Sequence, residues 1–258
     1  MADFLHLVNS IHKLGMKCII DIVYNHTSPD SWLVNNHPEW FYHKPNGDMG
    51  NHVGDWTDIV DLDYSNKKLW KYQIETLKKW AKYVDGFRCD VASLVPLNFW
   101  KEARKACSKV KKNLIWLAES VHYDFIRYLR ANNLLALSDS EVFQAFDITY
   151  DYDVREFFDR FIKKEISFKE YIDILNFQDG IYPENYVKLR FLENHDQPRI
   201  ASLIKDERER YNYFAFNYFQ KGTTLIYAGE EFGETRSPSL GLFIKLKKIL
   251  FLLLALMN

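Results

Sequence analysis

Residues 86–92 read GFRCDVA, and this stretch indicates both a buried strand and a candidate site. It follows the long amphipathic run 67–83 and is apolar except for Arg88 and Asp90. Residues two apart on a strand point to the same side, so Arg88 and Asp90 share a face. One explanation is a buried ion pair, a weak source of stability because desolvation opposes the charge attraction. The other is that Arg88 keeps Asp90 ionised and oriented for chemistry.

Outward from this strand, helical patterns alternate with short apolar or β-branched runs. This alternation predicts an α/β fold with a parallel sheet and right-handed crossovers, of the (β/α)8 barrel kind, in which functional residues collect at the carboxyl ends of the strands. We predict helices at about 3–14, 66–83, 97–108 and 122–132, helical patterns through 140–175 and two helices in 198–220, with strands at 17–23, 84–89, 113–118, 134–137, 187–192 and 223–227.

The composition narrows the class of protein. The chain has 258 residues and a net charge of −1, so no basic field indicates a nucleic-acid partner. Residues 1–15 lack the basic region and apolar core of a signal peptide, and the apolar run 249–257 is too short to span a membrane. Cys18, Cys89 and Cys107 are an odd number without metal-type spacing. We therefore expect a reduced, cytoplasmic protein without a membrane partner.

Polar side chains follow four of the six predicted strands. By chance a carboxylate at a strand end is unremarkable, but such a set at four ends is difficult to explain by structure alone. The stretches are DIVYNH (21–26), Arg88 and Asp90 in GFRCDVA, Glu119 in WLAES (116–120), and ENHD (193–196).

The residue types suit cleavage of a glycosidic bond. Cleavage with retention needs an ionised carboxylate as nucleophile and a protonated carboxyl as acid, about 5–5.5 Å apart. Arg88 should keep Asp90 ionised, whereas Glu119 follows apolar residues with no cation adjacent in sequence and should keep its proton. Three further residues are candidates for contacts with sugar hydroxyls: Asp196, His26 and His195.

DIVYNH, GFRCDVA, LAES and FLENHD, in this order, resemble the four signature regions of the alpha-amylase family of glycoside hydrolases. The resemblance covers about residues 3–234, including GTTLIYAGEEFG (222–233) near the last barrel strand. It implies a (β/α)8 TIM barrel that acts on α-linked glucans or oligosaccharides through a covalent glycosyl-enzyme intermediate. It implies Asp90 as nucleophile, Glu119 as acid/base and Asp196 as transition-state stabiliser. The residues matching substrate-binding positions are Asp21, His26, Arg88 and His195.

The resemblance also implies a candidate binding site for a calcium ion. In many relatives calcium bridges the small domain inserted after the third barrel strand to the barrel. Asn25 matches one family ligand, and Asp61 is the candidate for a second. Such oxygen ligands suit a hard cation. Some relatives have no calcium at this place, so the expectation is that no cofactor is required and that calcium is the one candidate.

The resemblance divides the chain into four parts. Residues 1–26 form the first part of the barrel, 27–65 a short inserted domain, 66–234 the rest of the catalytic barrel and 235–258 a divergent apolar tail. The family barrel has two strands before the segment at residue 3 and a β-domain after the barrel. We therefore expect an incomplete barrel with the third to eighth strands, as in a fragment.

Three functions are open at this point. The first is hydrolysis of α-glucosidic bonds, of the alpha-amylase or alpha-glucosidase type. The second is a transglycosylase or glucan-rearranging enzyme, which would pass the same intermediate to another acceptor. The third is an inactive truncated gene product. The retained set of Asp90, Glu119 and Asp196 favours an active ancestor over a binding protein.

Overall fold

The computed structural model describes residues 1–53 and 56–237 of the chain. These residues fall into two compact units, which are described separately. The first contains Met1–His12 and Lys17–Tyr186, and the second contains Lys13–Met16 and the chain from Val187 onward. The apolar tail predicted for 235–258 lies, from residue 238, outside the described residues.

Helices and short strands alternate along the described residues, as predicted. The helices are α1 (Ala2–Lys13), α2 (Trp32–Asn36), α3 (Lys67–Ala81), α4 (Leu97–Cys107), α5 (Tyr123–Ala131), α6 (Asp139–Val142), α7 (Tyr152–Ile162), α8 (Phe168–Ile181), α9 (Ile200–Leu203) and α10 (Glu207–Phe219). The strands are β1 (Ile19–Val23), β2 (His26–Thr27), β3 (Val60–Asp61), β4 (Gly86–Asp90), β5 (Ile115–Ala118), β6 (Ile148–Tyr150), β7 (Lys188–Arg190) and β8 (Thr223–Thr224).

The first unit is built on a parallel sheet in the order β1, β4, β5, β6. Val23 pairs with Asp90 at one end of β1 and β4, and Cys89 pairs with Ala118 on β4 and β5. The strands run in the same direction, so their carboxyl ends lie at one edge of the sheet. The residues that end β1, β4 and β5 are therefore neighbours.

Helices α3 and α4 cover this sheet because each has one apolar face. Helix α3 begins where the side chain of Asn66 accepts a hydrogen bond from Lys68 N, which caps the first turn. Its face with Leu77 and Ala81 is fully buried, as are Phe99 and Trp100 of α4. These side chains join those of β4 in a single hydrophobic core, and that burial supplies most of the stability of the unit.

The segment between β1 and α3 has a small core of its own. Strands β2 and β3 are antiparallel and pair His26 with Asp61. Trp40, Phe41 and Leu62 are buried against them. The segment thereby holds Asp61 close to the chain that leaves β1.

The second unit contains β7 and β8, which are parallel and pair Leu189 with Thr223. Helices α9 and α10 connect the two strands. This is the strand, helix, strand order expected for the last part of a barrel.

One strand is misplaced in the sequence prediction. The run 134–137 has no strand, and β6 instead lies at Ile148–Tyr150, within a region predicted as helical. Asn133 adopts a left-handed conformation after α5, and Leu137 N donates to Ser93 O rather than to a strand. Leu134–Leu137 is apolar because Ala136 and Leu137 are buried in a loop. The three residues of β6 are too few to give a periodic signal.

Two other expectations concern the environment of the chain. Cys18, Cys89 and Cys107 are all free and buried, as small core residues are. Within the described residues, no helix has the length and apolarity needed to cross a membrane.

Replacing Gly86 by alanine tests the close approach of β4 and β5. A Cβ at Gly86 would lie 2.4 Å from the carbonyl oxygen of Ile115, so the two strands would have to separate. We expect Gly86→Ala to lower the free energy of unfolding by about 2–3 kcal/mol in urea denaturation. The control is Gly180→Ala in α8, where nothing lies within 4 Å and alanine should stabilise the helix. Equal unfolding midpoints for the two variants would contradict this packing.

Candidate active site

The guanidinium of Arg88 joins three carboxylates at the carboxyl edge of the sheet. Its Nη1 donates to both oxygens of Asp21, at 2.9 and 3.0 Å, and to Oδ1 of Asp90 at 2.7 Å. Its Nη2 lies 2.6 Å from Oε1 of Glu119. These residues come from β1, β4 and the end of β5, which are adjacent strands. Arg88 therefore orients the predicted nucleophile and also the predicted acid.

The contact with Glu119 corrects one expectation from the sequence. The sequence places no cation next to Glu119, and Glu119 is predicted on that basis to keep its proton. The structure instead places Arg88 Nη2 within ion-pair distance, although the contact lacks hydrogen-bond geometry. Parallel pairing of Cys89 with Ala118 causes this approach, since it aligns the ends of β4 and β5.

Burial differs among the three carboxylates. The side chain of Glu119 is 8% exposed, that of Asp90 20% and that of Asp21 56%. Burial of Arg88 acts to lower its pKa, but the negative charge of Glu119 and the neighbouring acidic groups outweigh it and raise the pKa well above its ordinary value. Arg88 is thus a permanent positive charge in a largely dry setting, and its hydrogen bonds there are strong.

A second anchor for Glu119 is the backbone of Val91. The Val91 N–H donates to Oε2 of Glu119 at 2.9 Å. Val91 has φ 36° and ψ 44°, in the left-handed region that a β-branched residue rarely adopts. Such strain costs on the order of 1–3 kcal/mol and persists where the surroundings enforce it. Here it directs the Val91 N–H, next to Asp90, toward the carboxylate of Glu119.

Tyr150 is a site residue that the sequence prediction missed. It ends β6, and its ring centre lies 5.7 Å from the guanidinium carbon of Arg88. Burial is the main cause that raises the pKa of Tyr150 to about 12, so its hydroxyl keeps its proton at neutral pH. Residue 150 lies in the stretch predicted to be helical, so the sequence did not identify it as the end of a strand.

Asn25 and Asp61, the candidate calcium ligands, are both buried and line one cavity of about 440 Å³. The Oδ2 atom of Asp61 accepts a hydrogen bond from His52 N at 2.7 Å and lies 2.8 Å from His52 Nδ1. The Oδ1 atom is buried without a hydrogen-bond partner among the described residues. A buried, unpaired carboxylate oxygen fits a hard cation. His52 thus holds the side chain of Asp61 in place.

The second unit carries the other two predicted residues. His195 and Asp196 lie after β7, and His195 Nε2 is 3.2 Å from Asp196 Oδ2. Both side chains are about half exposed, with values of 46% and 53%. Asp196 N donates to the side chain of Asn194, which fixes the turn that presents Asp196.

A buried charge network supports this loop. Arg199 Nη1 lies 2.5 Å from Oε1 of Glu193 and donates to Ala228 O at 3.0 Å. Glu230 is also buried. Burial raises the pKa of Glu230 to about 8, and the charge of Glu193 adds to the shift. Arg199 thus connects the loop after β7 to the segment after β8.

Parallel strands alternating with helices, with carboxylates at the strand ends, define a (β/α)8-barrel class of enzyme. The family model of the alpha-amylase catalytic domain matches residues 32–245. The chain therefore belongs to the alpha-amylase family of glycoside hydrolases.

Two solved structures and one curated relative illustrate the similarity. An alpha-amylase from Lactobacillus plantarum is 51% identical with a TM-score of 0.91, over 93% of this chain and 57% of that one. A maltogenic alpha-amylase from Thermotoga neapolitana is 41% identical with a TM-score of 0.80, over 93% and 52%. The intracellular maltogenic amylase of Bacillus subtilis is 27% identical over 89% of this chain and 40% of its own length. The fold class predicted from sequence, the (β/α)8 barrel of the alpha-amylase catalytic domain, is confirmed by these similarities.

The raised pKa of Glu230 predicts a dependence of stability on pH. Because the pKa in the folded chain, about 8, exceeds the ordinary value of 4.5, the folded state binds this proton more tightly. The stability it provides is complete below about pH 4.5 and is lost as the pH rises through about 8. We expect unfolding free energies from about pH 5 to 8.5 to fall more for the unsubstituted chain than for Glu230→Gln, by up to a few kcal/mol.

The matched control is Glu102→Gln, because Glu102 is an exposed glutamate on α4 whose charge does not contribute to the pKa shift of Glu230. It should show the pH dependence of the unsubstituted chain. Parallel curves for the unsubstituted chain and Glu230→Gln would contradict the assignment.

Proposed function

We propose that this site hydrolyses α-glucosidic bonds in α-glucans or oligosaccharides, with retention, through a covalent glycosyl-aspartate intermediate. The observation that carries the proposal is the single guanidinium of Arg88, which contacts both Asp90 and Glu119 at the ends of adjacent strands. A retaining site needs two such carboxyl groups close together with different roles. The contacts of Arg88 with both carboxylates support this pairing.

Asp90 is the nucleophile in this proposal. Its carboxylate attacks the anomeric carbon while Glu119 donates a proton to the departing glycosidic oxygen. Glu119 then takes a proton from water, which attacks the anomeric carbon, releases the sugar and restores the carboxylate of Asp90. Asp90 is the more exposed of the two, and Arg88 Nη1 donates to its Oδ1 at 2.7 Å, which orients the carboxylate. Glu119 is the more buried of the two and also lies 2.6 Å from Arg88 Nη2, so its role as the acid rests on the resemblance of LAES to the family's signature region.

The remaining predicted residues are assigned supporting roles. Asp21, mostly exposed and bound to Arg88, holds that guanidinium and contacts substrate. His26 and His195 donate to sugar hydroxyls. Asp196 stabilises the transition state by accepting hydrogen bonds from the distorted sugar. These roles rest on the resemblance of DIVYNH and FLENHD to the family's signature regions.

The reaction and the cellular location of the whole protein are part of the proposal, because the chain spans about half the length of its relatives, or less. A transferase would use the same intermediate, and product analysis with a second sugar acceptor present separates it from a hydrolase.

Three buried free cysteines and the similarity to an intracellular enzyme support a cytoplasmic location. The division at 1–26, 27–65, 66–234 and 235–258 is proposed on the same resemblance.

Substitution of the two carboxylates tests the assigned roles. We expect Asp90→Asn to lower kcat on an aryl α-glucoside by a factor on the order of 10³ or more, because an amide cannot act as the nucleophile. Glu119→Gln should lower kcat by about 10²–10⁴ on maltooligosaccharides and far less on an aryl glucoside whose leaving group needs no proton. Initial rates give both values.

The control for these variants is Asp124→Asn, since Asp124 is an exposed aspartate on α5 whose ion pair is also exposed. It should keep the activity of the unsubstituted chain. Equal kcat values for Asp90→Asn and Asp124→Asn would refute the role of Asp90.

We further propose that calcium, if required, binds Asn25 and Asp61. This site is supported by the buried amide of Asn25 and by the buried Oδ1 of Asp61, for which the described part of the chain offers no hydrogen-bond partner. The ion would be structural there, joining oxygen atoms of the chain after β1 to the inserted segment.

Thermal melts with and without calcium test this site. Saturating Ca²⁺ should raise the Tm of the chelator-treated chain by about 3–5 °C, because a ligand that binds only the folded state stabilises it. Asp61→Asn should remove most of this shift. Asp48→Asn, an exposed aspartate of the same segment, is the control and should keep it. If the Tm of the unsubstituted chain does not change when Ca²⁺ is added, that result would contradict the site.

A further inference from the structure

The ring of Tyr150 reaches Arg88 from a strand that is not its neighbour in the sheet. Tyr150 ends β6, Arg88 lies in β4, and β5 separates these two strands. The guanidinium carbon of Arg88 nevertheless lies 5.7 Å from the centre of the Tyr150 ring, which is within the range of a cation–π contact. The contact is therefore made by side chains rather than by strand pairing, and Glu119 follows the strand that lies between them.

Neighbouring residues hold both the backbone and the ring of Tyr150 in place. The preceding residue, Thr149, pairs with β5. The side chain of Ser120 donates a hydrogen bond to the carbonyl oxygen of Tyr150 at 3.1 Å. The ring of Tyr150 stacks on that of Tyr152, with centres 5.5 Å apart and an angle of 22° between the planes. Tyr150 is thus a fixed support against which another side chain can rest.

The simplest alternative is that Tyr150 is an ordinary core ring. It is as buried as core residues are, with 4% of its surface exposed. Its surroundings, however, are charged. Burial is the main cause that raises the pKa of Tyr150, and the charges of three neighbours also act on it: Arg88, Glu119 and Asp21. A ring needed only for its volume would have apolar neighbours, whereas this ring lies among the charged groups of the proposed site.

Arg88 needs such a support because it serves two carboxylates at once. Its Nη1 donates to Asp90 at 2.7 Å, whereas the contact of Nη2 with Glu119 at 2.6 Å lacks hydrogen-bond geometry. A guanidinium that turned toward one carboxylate would loosen its contact with the other. An aromatic ring packed against the planar guanidinium restricts that rotation, and the attraction between them is stronger where there is little water.

We propose that Tyr150 is a positioning residue, whose ring holds the guanidinium of Arg88 where it contacts both Asp90 and Glu119. This inference rests on the proposed function, since it concerns the same two carboxylates. Tyr150 takes no part in making or breaking bonds and acts through Arg88. Without the ring both carboxylates are present but less well aligned, so the chemical step slows more than substrate binding weakens.

Steady-state kinetics on a maltooligosaccharide, at a temperature where every variant is folded, test this role. Tyr150→Leu should lower kcat by about tenfold and change KM by less than about twofold, because it removes a contact that supports only the alignment of the carboxylates. Tyr150→Phe keeps the ring and should keep kcat within about threefold. Tyr150→Met fills the space without a ring and should behave like Tyr150→Leu, which it replaces if the leucine variant does not fold.

A double-mutant cycle separates an effect through Arg88 from an effect on packing. In an Arg88→Lys background, which lacks the planar guanidinium, Tyr150→Leu should lower kcat by less than about twofold. The matched control is Tyr171→Leu, since Tyr171 is 3% exposed and its ring packs on Phe158 and Phe161. It should leave kcat unchanged. Equal losses from Tyr150→Leu in both backgrounds, an equal loss from Tyr171→Leu, or no loss from Tyr150→Leu would each overturn the proposal.

Failure of the proposed function is separate, because it appears as an unsubstituted chain that hydrolyses no α-glucoside. The same cycle is then measured by urea unfolding. Tyr150→Leu should lower the unfolding midpoint less in the Arg88→Lys chain than in the unsubstituted chain, because the ring has less to hold there. Equal decreases in the two chains would overturn the role of Tyr150 whether or not the chain is active.

Discussion

The ion pairs of Arg88 are the interaction on which the site depends. A buried guanidinium without partners would cost several kcal/mol, and three carboxylates without a cation would repel one another. Together they are tolerated because β1, β4 and β5 are parallel and adjacent, so that Asp21, Asp90 and Glu119 end at the same edge. The register of these strands therefore determines the geometry of the site, because a shift in register would move Arg88 away from at least one carboxylate.

Much of this arrangement could be predicted from sequence. The strand periodicity of GFRCDVA places Arg88 and Asp90 on one face, and the alternation of helices and strands implies that the strand ends meet. The contact between Arg88 and Asp90 at 2.7 Å agrees with that reasoning. The contact between Arg88 and Glu119 did not follow, because it depends on the register of β4 and β5, which no local pattern encodes.

Other features escaped prediction for the same reason. Thr149 in the middle of β6 pairs with Ala118, and three residues held by a neighbouring strand give no periodicity of their own. The environment of Glu230 includes Glu193 and Arg199, which are distant in sequence, and His52 contacts Asp61 across a loop, nine residues further along the chain. The aromatic residues of α10 recur at helical spacing, which favours a buried face, but Tyr211 and Phe219 are 61% and 89% exposed. Local patterns specify elements, whereas pairing between elements decides which polar groups are buried.

The central claim is that Asp90 forms a covalent bond to the sugar. The most direct measurement is mass spectrometry of peptides from the chain after incubation with a fluorinated α-glucosyl fluoride, which slows release of the intermediate. The account predicts an added fluoroglucosyl mass on the peptide that contains Asp90, and none in the Asp90→Asn variant. A label on another carboxylate, or turnover of the reagent without any labelled peptide, would contradict it.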